Sequence, residues 1–261
     1  MTTGPQIRFE DGAAYERYMG RWSQLVGEVF LEWLDLKPGL SWLDVGCGNG
    51  VFTELIHDSC APASLSGVDP SGAQLSFARS RPALRNADIR LADAMGLPFH
   101  ADCFDVAVMP LVIFFVPDPA RGVREMARVV KAGGLATAYA WDFGGGGPYQ
   151  PLMDAFGELG IAIPRPPSPE ASRMEVLQAL WEGAGLHSIE TRVITVERTF
   201  QSFDDFWSTV LDGPSAKPVF DSLSVDAAVQ LKEGMRDRLE ADPEGRITYA
   251  ARANAIQGVV A

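Results

Sequence analysis

Three glycines at alternate positions, Gly46, Gly48 and Gly50, follow an acid that closes an apolar run: Leu43-Asp44-Val45-Gly46-Cys47-Gly48-Asn49-Gly50. Apolar residues, a glycine turn and then a helical pattern read as a strand, a tight bend and a helix, with a ligand touching the bend. Glycine there permits positive φ and removes the Cβ from a ligand's path. Two further acids, Asp69 and Asp93, end the next two apolar runs. Carboxylates in such positions accept hydrogen bonds from hydroxyls and amines, and they favour a cationic ligand over an anionic one. The dinucleotide fingerprint G-x-G-x-x-G needs a third glycine where this chain has Val51. No Lys-Ser or Lys-Thr pair follows, which excludes a P-loop. Asp44 is a poor neighbour for a pyrophosphate and a good one for a cation.

These acids act together only if a parallel sheet lines up their strand ends. Ligands of open parallel sheets bind there, near the switch in strand order. The pattern predicts a helix from Ser23, with Leu25, Val26, Val29, Phe30, Trp33 and Leu34 on one face and Lys37-Pro38-Gly39 ending it. Strands are expected over Ser41–Val45, Leu65–Val68, Ile89–Ala92, Phe104–Met109 and Leu135–Trp141. Helices are expected over Val51–His57, from a Ser71 cap through Arg79, and from Asp118-Pro119 to Val130, closed by Gly133-Gly134. Such alternation implies helices on both faces of a parallel sheet. Gly144 to Gly147 and Pro164, Pro166, Pro167 and Pro169 then mark an insertion, with a short helix over Tyr149–Leu159. Helices follow over Ala171–Glu182, Phe203–Leu211 and Ser224–Glu240. Strands are expected over Leu186–Val196 and Arg246–Val259.

The chain has 261 residues, 47% hydrophobic and 21% charged, which fits one globular domain with a sizeable core. A formal net charge of −12 disfavours a nucleic-acid partner, which needs clustered Lys and Arg. No apolar run is long enough to span a bilayer, and the N-terminus lacks a charged-then-apolar signal pattern. Cys47, Cys60 and Cys103 are isolated, without C-x-x-C spacing, and read as reduced thiols. A cytoplasmic location is therefore expected. Cys47 is expected to pack in the turn, and no metal site is expected.

D-x-G-x-G-x-G after a strand resembles motif I of the class I S-adenosylmethionine-dependent methyltransferases. "LADAMGLPF" (Leu91 to Phe99) resembles the family's adenine segment. "FDVAVMPLVIFFVPDP" and "EMARVVKAGG" resemble its fourth strand and following helix. The resemblance covers Ser41 to Trp141. "YERYMGRWS" and "RITYAARANAIQG" are more weakly similar to one small-molecule, type 11-like branch. The resemblance implies an α/β, doubly wound, seven-stranded and mostly parallel Rossmann-like sheet with an antiparallel last strand and inserted helical lid segments. It implies one methyltransferase domain over 1–261, with N-terminal cap helices in 1–40, a cofactor core in 41–141, and insertions 142–170 and 200–243 covering the substrate site.

S-adenosyl-L-methionine is the implied cofactor. Asp69, with Pro70, is expected to accept the ribose hydroxyls. Asp93, Ala94 and Met95 are expected at the adenine edge, and Asp44 near the methionine ammonium. Gly46, Cys47 and Gly48 form the turn, and Met109 and Pro110 close strand four. Tyr15, Tyr18, Met19, Arg21 and Trp22 have two readings. In one they fold over the cofactor, with Arg21 pairing the methionine carboxylate and the rings covering the sulfonium. In the other, Tyr18 and Trp22 simply pack on the sheet.

Methyl transfer chiefly requires alignment and exclusion of water. Strand four lacks the Asn/Asp-Pro-Pro-aromatic run of amino-methylating DNA enzymes and the Pro-Cys pair of cytosine-C5 enzymes. Where many relatives carry a histidine, this chain has Phe114 and Phe115. His57, His100 and His187 are expected away from the crevice. Asp142 is read as a turn cap rather than a base, so no catalytic residue is assigned. Phe203, Phe206 and Trp207 either wall an apolar pocket or form a helix's core face. The expected function is transfer of a methyl group to an oxygen or nitrogen of a small organic molecule, by a monomer or homodimer. A cofactor-binding sensor without transfer and a nicotinamide-dependent oxidoreductase are the alternatives.

Overall fold

The computed structural model describes residues 16–161, 164–211, 213 and 216–261. Tyr15 and the residues before it lie outside them. One seven-stranded sheet carries the chain, in the order β3-β2-β1-β4-β5-β7-β6. Its strands are β1 (Ser41–Val45), β2 (Ser64–Asp69), β3 (Asp88–Leu91), β4 (Phe104–Pro110), β5 (Val130–Trp141), β6 (His187–Phe200) and β7 (Ile247–Val259). The first five pair in parallel. β7 runs antiparallel between β5 and β6, as the resemblance implies. The order reverses between β1 and β4, so the β1 turn opens at the switch point, where such sheets bind ligands.

Helix α1 (Arg21–Leu34) follows a π-helical turn, Glu16–Gly20. It buries Trp22, Val26, Phe30, Leu31 and Leu34, an apolar stripe at helical spacing. α1 ends before Lys37, because Asp35 takes a left-handed φ of 44° and returns its N–H to Leu31. Helix α2 (Val51–Cys60) leaves the glycine turn, and α3 (Gly72–Ser80) is capped by the Ser71 hydroxyl. Gly27 lets α1 and α2 approach closely, since a Cβ there would lie 2.9 Å from Leu55.

Helix α4 (Pro119–Val129) has the expected Asp118 cap and proline start. Gly133-Gly134 does not close it. Strand β5 begins at Val130, and its pairing with β4 jumps from Phe104↔Val130 to Val106↔Leu135. The two glycines lie in that bulge, where Gly133 has φ +77° and a Cβ on Gly134 would meet the Asp105 carbonyl at 2.7 Å. Helices α5 (Gln150–Glu158), α6 (Met174–Gly183), α7 (Phe203–Leu211) and α9 (Val225–Arg238) match the sequence pattern. α8 (Ala216–Asp221) is an additional short helix. No helix among the described residues is long and apolar enough to cross a membrane.

Candidate active site

The Gly46–Gly50 turn is held from below by strand β2. The Gly46 and Cys47 N–H groups both donate to the Val68 carbonyl, at 2.7 and 2.9 Å. The Gly48 N–H donates to Asp69 Oδ2 at 3.0 Å. Gly50 closes the turn onto the Cys47 carbonyl at 2.9 Å. Gly46, Gly48 and Gly50 all have positive φ. A Cβ on Gly46 would collide with Val112, and one on Gly50 with Leu84, whereas Gly48 has nothing within 4 Å. Gly48 is therefore the open face of the turn, and the outer two glycines serve close packing.

Asp44 lies behind this turn and is fully buried. Its Oδ2 accepts from the Thr53 hydroxyl at 2.7 Å. Its Oδ1 has no hydrogen-bond partner among the described residues. Burial pushes the Asp44 carboxyl up to about 7; the Thr53 bond opposes the rise, and the nearby Asp69 charge adds to it. Asp69 ends β2, its Oδ1 accepting from the Ser71 N–H at 2.8 Å. Partial burial raises its pKa as well, against the two N–H bonds that favour its charge. β2 and β3 end side by side, with Asp69 opposite Leu91, so Asp93 sits at the same edge. Asp93 turns back to accept from the Met95 N–H at 2.7 Å, shaping the Asp93–Met95 bend.

Cys47 is buried against Gly67, and burial raises its thiol pKa, which suits packing and not nucleophilic attack. Met109 is buried with its methyl near Gly122 of α4, and the buried Pro110 closes β4 beside it. Among the described residues, no group of three or more His, Cys, Asp or Glu is placed to hold a metal ion.

The N-terminal residues gather against β5, β6 and β7. Arg21 is exposed and bonds Gln24 at 3.0 Å. Trp22 is buried edge-on against Trp141, Tyr149 and Tyr249. Its Nε1 donates to the Tyr149 hydroxyl at 3.0 Å, and that hydroxyl donates to the Tyr18 carbonyl at 2.6 Å. The Tyr18 and Tyr149 rings stack at 4.6 Å, and Arg198 reaches both oxygens at 3.3 Å. Tyr18 and Trp22 thus pack at the β5–β7–β6 half of the edge. Sequence reasoning did not single out Tyr149 as their hub, since its partners lie 127 and 131 positions away. Tyr149→Phe keeps the ring stack but leaves the buried Trp22 Nε1 without its acceptor, while the Tyr18 carbonyl keeps its bond from Arg198. It is expected to cost about 1–3 kcal/mol in urea unfolding; an unchanged midpoint would show that the hydroxyl contributes nothing.

Asp142 caps Gly144 at 3.0 Å and pairs with Arg252 at 2.9 Å, in keeping with the turn-cap reading. His57 is exposed and bonds Asp58, His100 is exposed before β4, and His187 is exposed at the start of β6, the edge opposite the turn. Phe206 and Trp207 are buried, with Trp207 stacked on Phe203 at 6.0 Å, as a helix's core face.

A doubly wound sheet with an acid-backed glycine turn at its switch point defines a nucleoside-cofactor protein of the Rossmann-like kind. The "Methyltransferase domain" family model matches residues 43–138. Methyltransferase GfsG of Streptomyces halstedii is 30% identical over 233 residues, 86% of this chain and 78% of that protein. The 2-methyl-6-phytyl-1,4-hydroquinone methyltransferase 2 of Oryza sativa subsp. japonica is 38% identical over 118 residues, 45% of this chain and 34% of that protein. The chain therefore spans about a third of the length of such curated relatives. By fold it is similar to phosphoethanolamine N-methyltransferase 2 of Haemonchus contortus in complex with phosphomonomethylethanolamine and S-adenosylhomocysteine. That likeness has a TM-score of 0.58 at 18% identity and covers 94% of this chain and 56% of that one. The chain belongs to the class I S-adenosylmethionine-dependent methyltransferase family.

Proposed function

We propose that this chain transfers a methyl group from S-adenosylmethionine to an oxygen or nitrogen atom of a small organic molecule. One observation carries the reading: Asp44, a fully buried carboxylate two residues before an open glycine turn, keeps an oxygen with no hydrogen-bond partner among the described residues. A buried anion is costly unless a positive group meets it, and the cofactor's methionine end brings an ammonium. The bound cofactor would supply a methyl carbon already activated by a sulfonium. Asp44 would hold the ammonium, Asp69 and Pro70 the ribose, and Asp93, Ala94 and Met95 the adenine. Gly46, Cys47 and Gly48 would bring backbone against the cofactor, with Met109 and Pro110 beside it. Tyr18, Arg21 and Trp22 would lie on the cofactor's methionine side, and segments 142–170 and 200–243 would cover the substrate site. Alignment and exclusion of water are then the protein's main task.

The balance of −12 favours a small molecule over nucleic acid. We read the chain as a cytoplasmic monomer or homodimer, with free thiols at Cys47, Cys60 and Cys103. The test is incubation of the whole chain with methyl-labelled cofactor and fractionated metabolites. Label transfer with S-adenosylhomocysteine release is expected. Tight cofactor binding with no transfer to any fraction would instead make the chain a sensor. Asp69→Ala is expected to weaken S-adenosylhomocysteine binding about 100-fold by calorimetry, the loss of two charge-assisted hydrogen bonds. An unchanged affinity would remove Asp69 from the site.

A further inference from the structure

Resting on the methyltransferase reading, we infer that Phe143 is the contact face for the acceptor, and that the acceptor is a planar aromatic molecule. The strap that carries Phe143 is fastened at every turn. The Asp142 N–H donates to the Arg252 carbonyl at 2.9 Å, the Arg252 N–H to the Gly146 carbonyl at 2.6 Å, and the Gly146 N–H to the Asp142 carbonyl at 3.0 Å. The Asp142 side chain adds its bonds to Gly144 and Arg252. The strap lies so close on Arg252 that a Cβ at Gly146 would sit 2.4 Å from its Nε. A strap so fixed could have turned its phenylalanine inward. Instead Phe143 is 41% exposed, while Trp141, two residues earlier, is 3% exposed.

The patch around Phe143 borders the cofactor turn. Val112 fills the space beside Gly46, and the Ile113–Phe115 turn continues from it. Leu111, just before, takes a left-handed φ of 57°, a strained conformation for a branched residue and one that clusters at functional sites. Phe114 is buried, 4.6 Å from the Phe115 ring and edge-on to Phe143 at 4.8 Å. This aromatic surface lies past β4 and β5, on the side of the turn away from Asp69 and Asp93. It offers ring faces and edges, which select aromatic partners by geometry. A strongly polar acceptor would lose water there without replacement hydrogen bonds.

The test titrates 1-naphthol and its saturated counterpart, decahydro-1-naphthol, into the full chain saturated with S-adenosylhomocysteine. The two probes share a carbon skeleton and one hydroxyl and differ in planarity and in the π system, so burial of apolar surface alone would not separate them strongly. About tenfold tighter binding of 1-naphthol is expected, with the preference erased in Phe143→Ala and retained in Phe143→Trp. Phe143→Ala should keep its melting temperature and its S-adenosylhomocysteine affinity, since the side chain is half exposed. Equal affinities, a preference that survives Phe143→Ala, or no naphthol binding would each overturn the inference. Failure of the wild-type chain to bind S-adenosylhomocysteine would overturn the methyltransferase reading itself, which separates the two failures.

Discussion

Asp44→Asn is expected to make the ligand-free chain more stable at pH 8 and to abolish useful cofactor affinity. The folded-state pKa of Asp44, about 7, lies above the ordinary value of 3.8. The stability linked to this group is therefore fully present below about pH 4 and is lost as pH rises through about 7. At pH 8 the ionised, buried carboxylate destabilises the fold by up to about 4 kcal/mol. Asparagine removes that charge and still accepts from Thr53. A gain of several degrees in melting temperature is expected at pH 8, with the two proteins converging at pH 4. A variant no more stable than wild type at pH 8 would sink the idea. Binding has the complementary sign. A cationic ligand requires the carboxylate, so wild-type affinity for S-adenosylhomocysteine should fall as pH drops below about 7, approaching tenfold per pH unit. Calorimetry across pH 5 to 8 should show that slope in the wild type and a flat, weak response in Asp44→Asn.

The second large effect concerns Gly46. Its φ is +84°, and a Cβ there would lie 2.4 and 2.6 Å from the Val112 methyls and 2.9 Å from the Val112 Cβ. Gly46→Ala combines left-handed strain, about 1 kcal/mol, with overpacking of about 1–3 kcal/mol. A loss of about 2–4 kcal/mol is expected in urea unfolding. Adding Val112→Ala should recover the packing part and leave the backbone part. Gly48→Ala is the informative contrast, since its φ is +52° and nothing lies within 4 Å. It should cost only the backbone strain yet still weaken cofactor binding, because its Cβ enters the open face. Equal destabilisation at both glycines would mean that Val112 does not set the cost.

What was legible in the sequence was local. The glycine turn, the acids at the ends of β1, β2 and near β3, and the Asp118 and Ser71 caps are written in short runs of residues whose chemistry has few alternatives. Gly133-Gly134 misled because a helix stop and a strand bulge call for the same residue type, and only the pairing of β4 with β5 decides between them. The run around Arg21 offers a carboxylate partner from the cofactor, and in the fold Arg21 is exposed with Gln24 as its side-chain neighbour. Trp141-Asp142-Phe143 and Tyr149 stand out in the sequence as groups following strand five, but their partners do not. Each depends on contacts between segments more than a hundred positions apart, Trp22 with Tyr149 and Asp142 with Arg252. No window along the chain contains both partners.

The way the turn spends its amides has a consequence for ligand choice. With the N–H groups of Gly46 and Cys47 drawn to one carbonyl, that of Gly48 to a carboxylate, and that of Gly50 to the turn itself, this bend has few donors left for a bridging diphosphate. Redox dinucleotides are thus turned away by exhausted backbone as much as by repulsion, and a phosphate-free nucleoside loses nothing by the exchange.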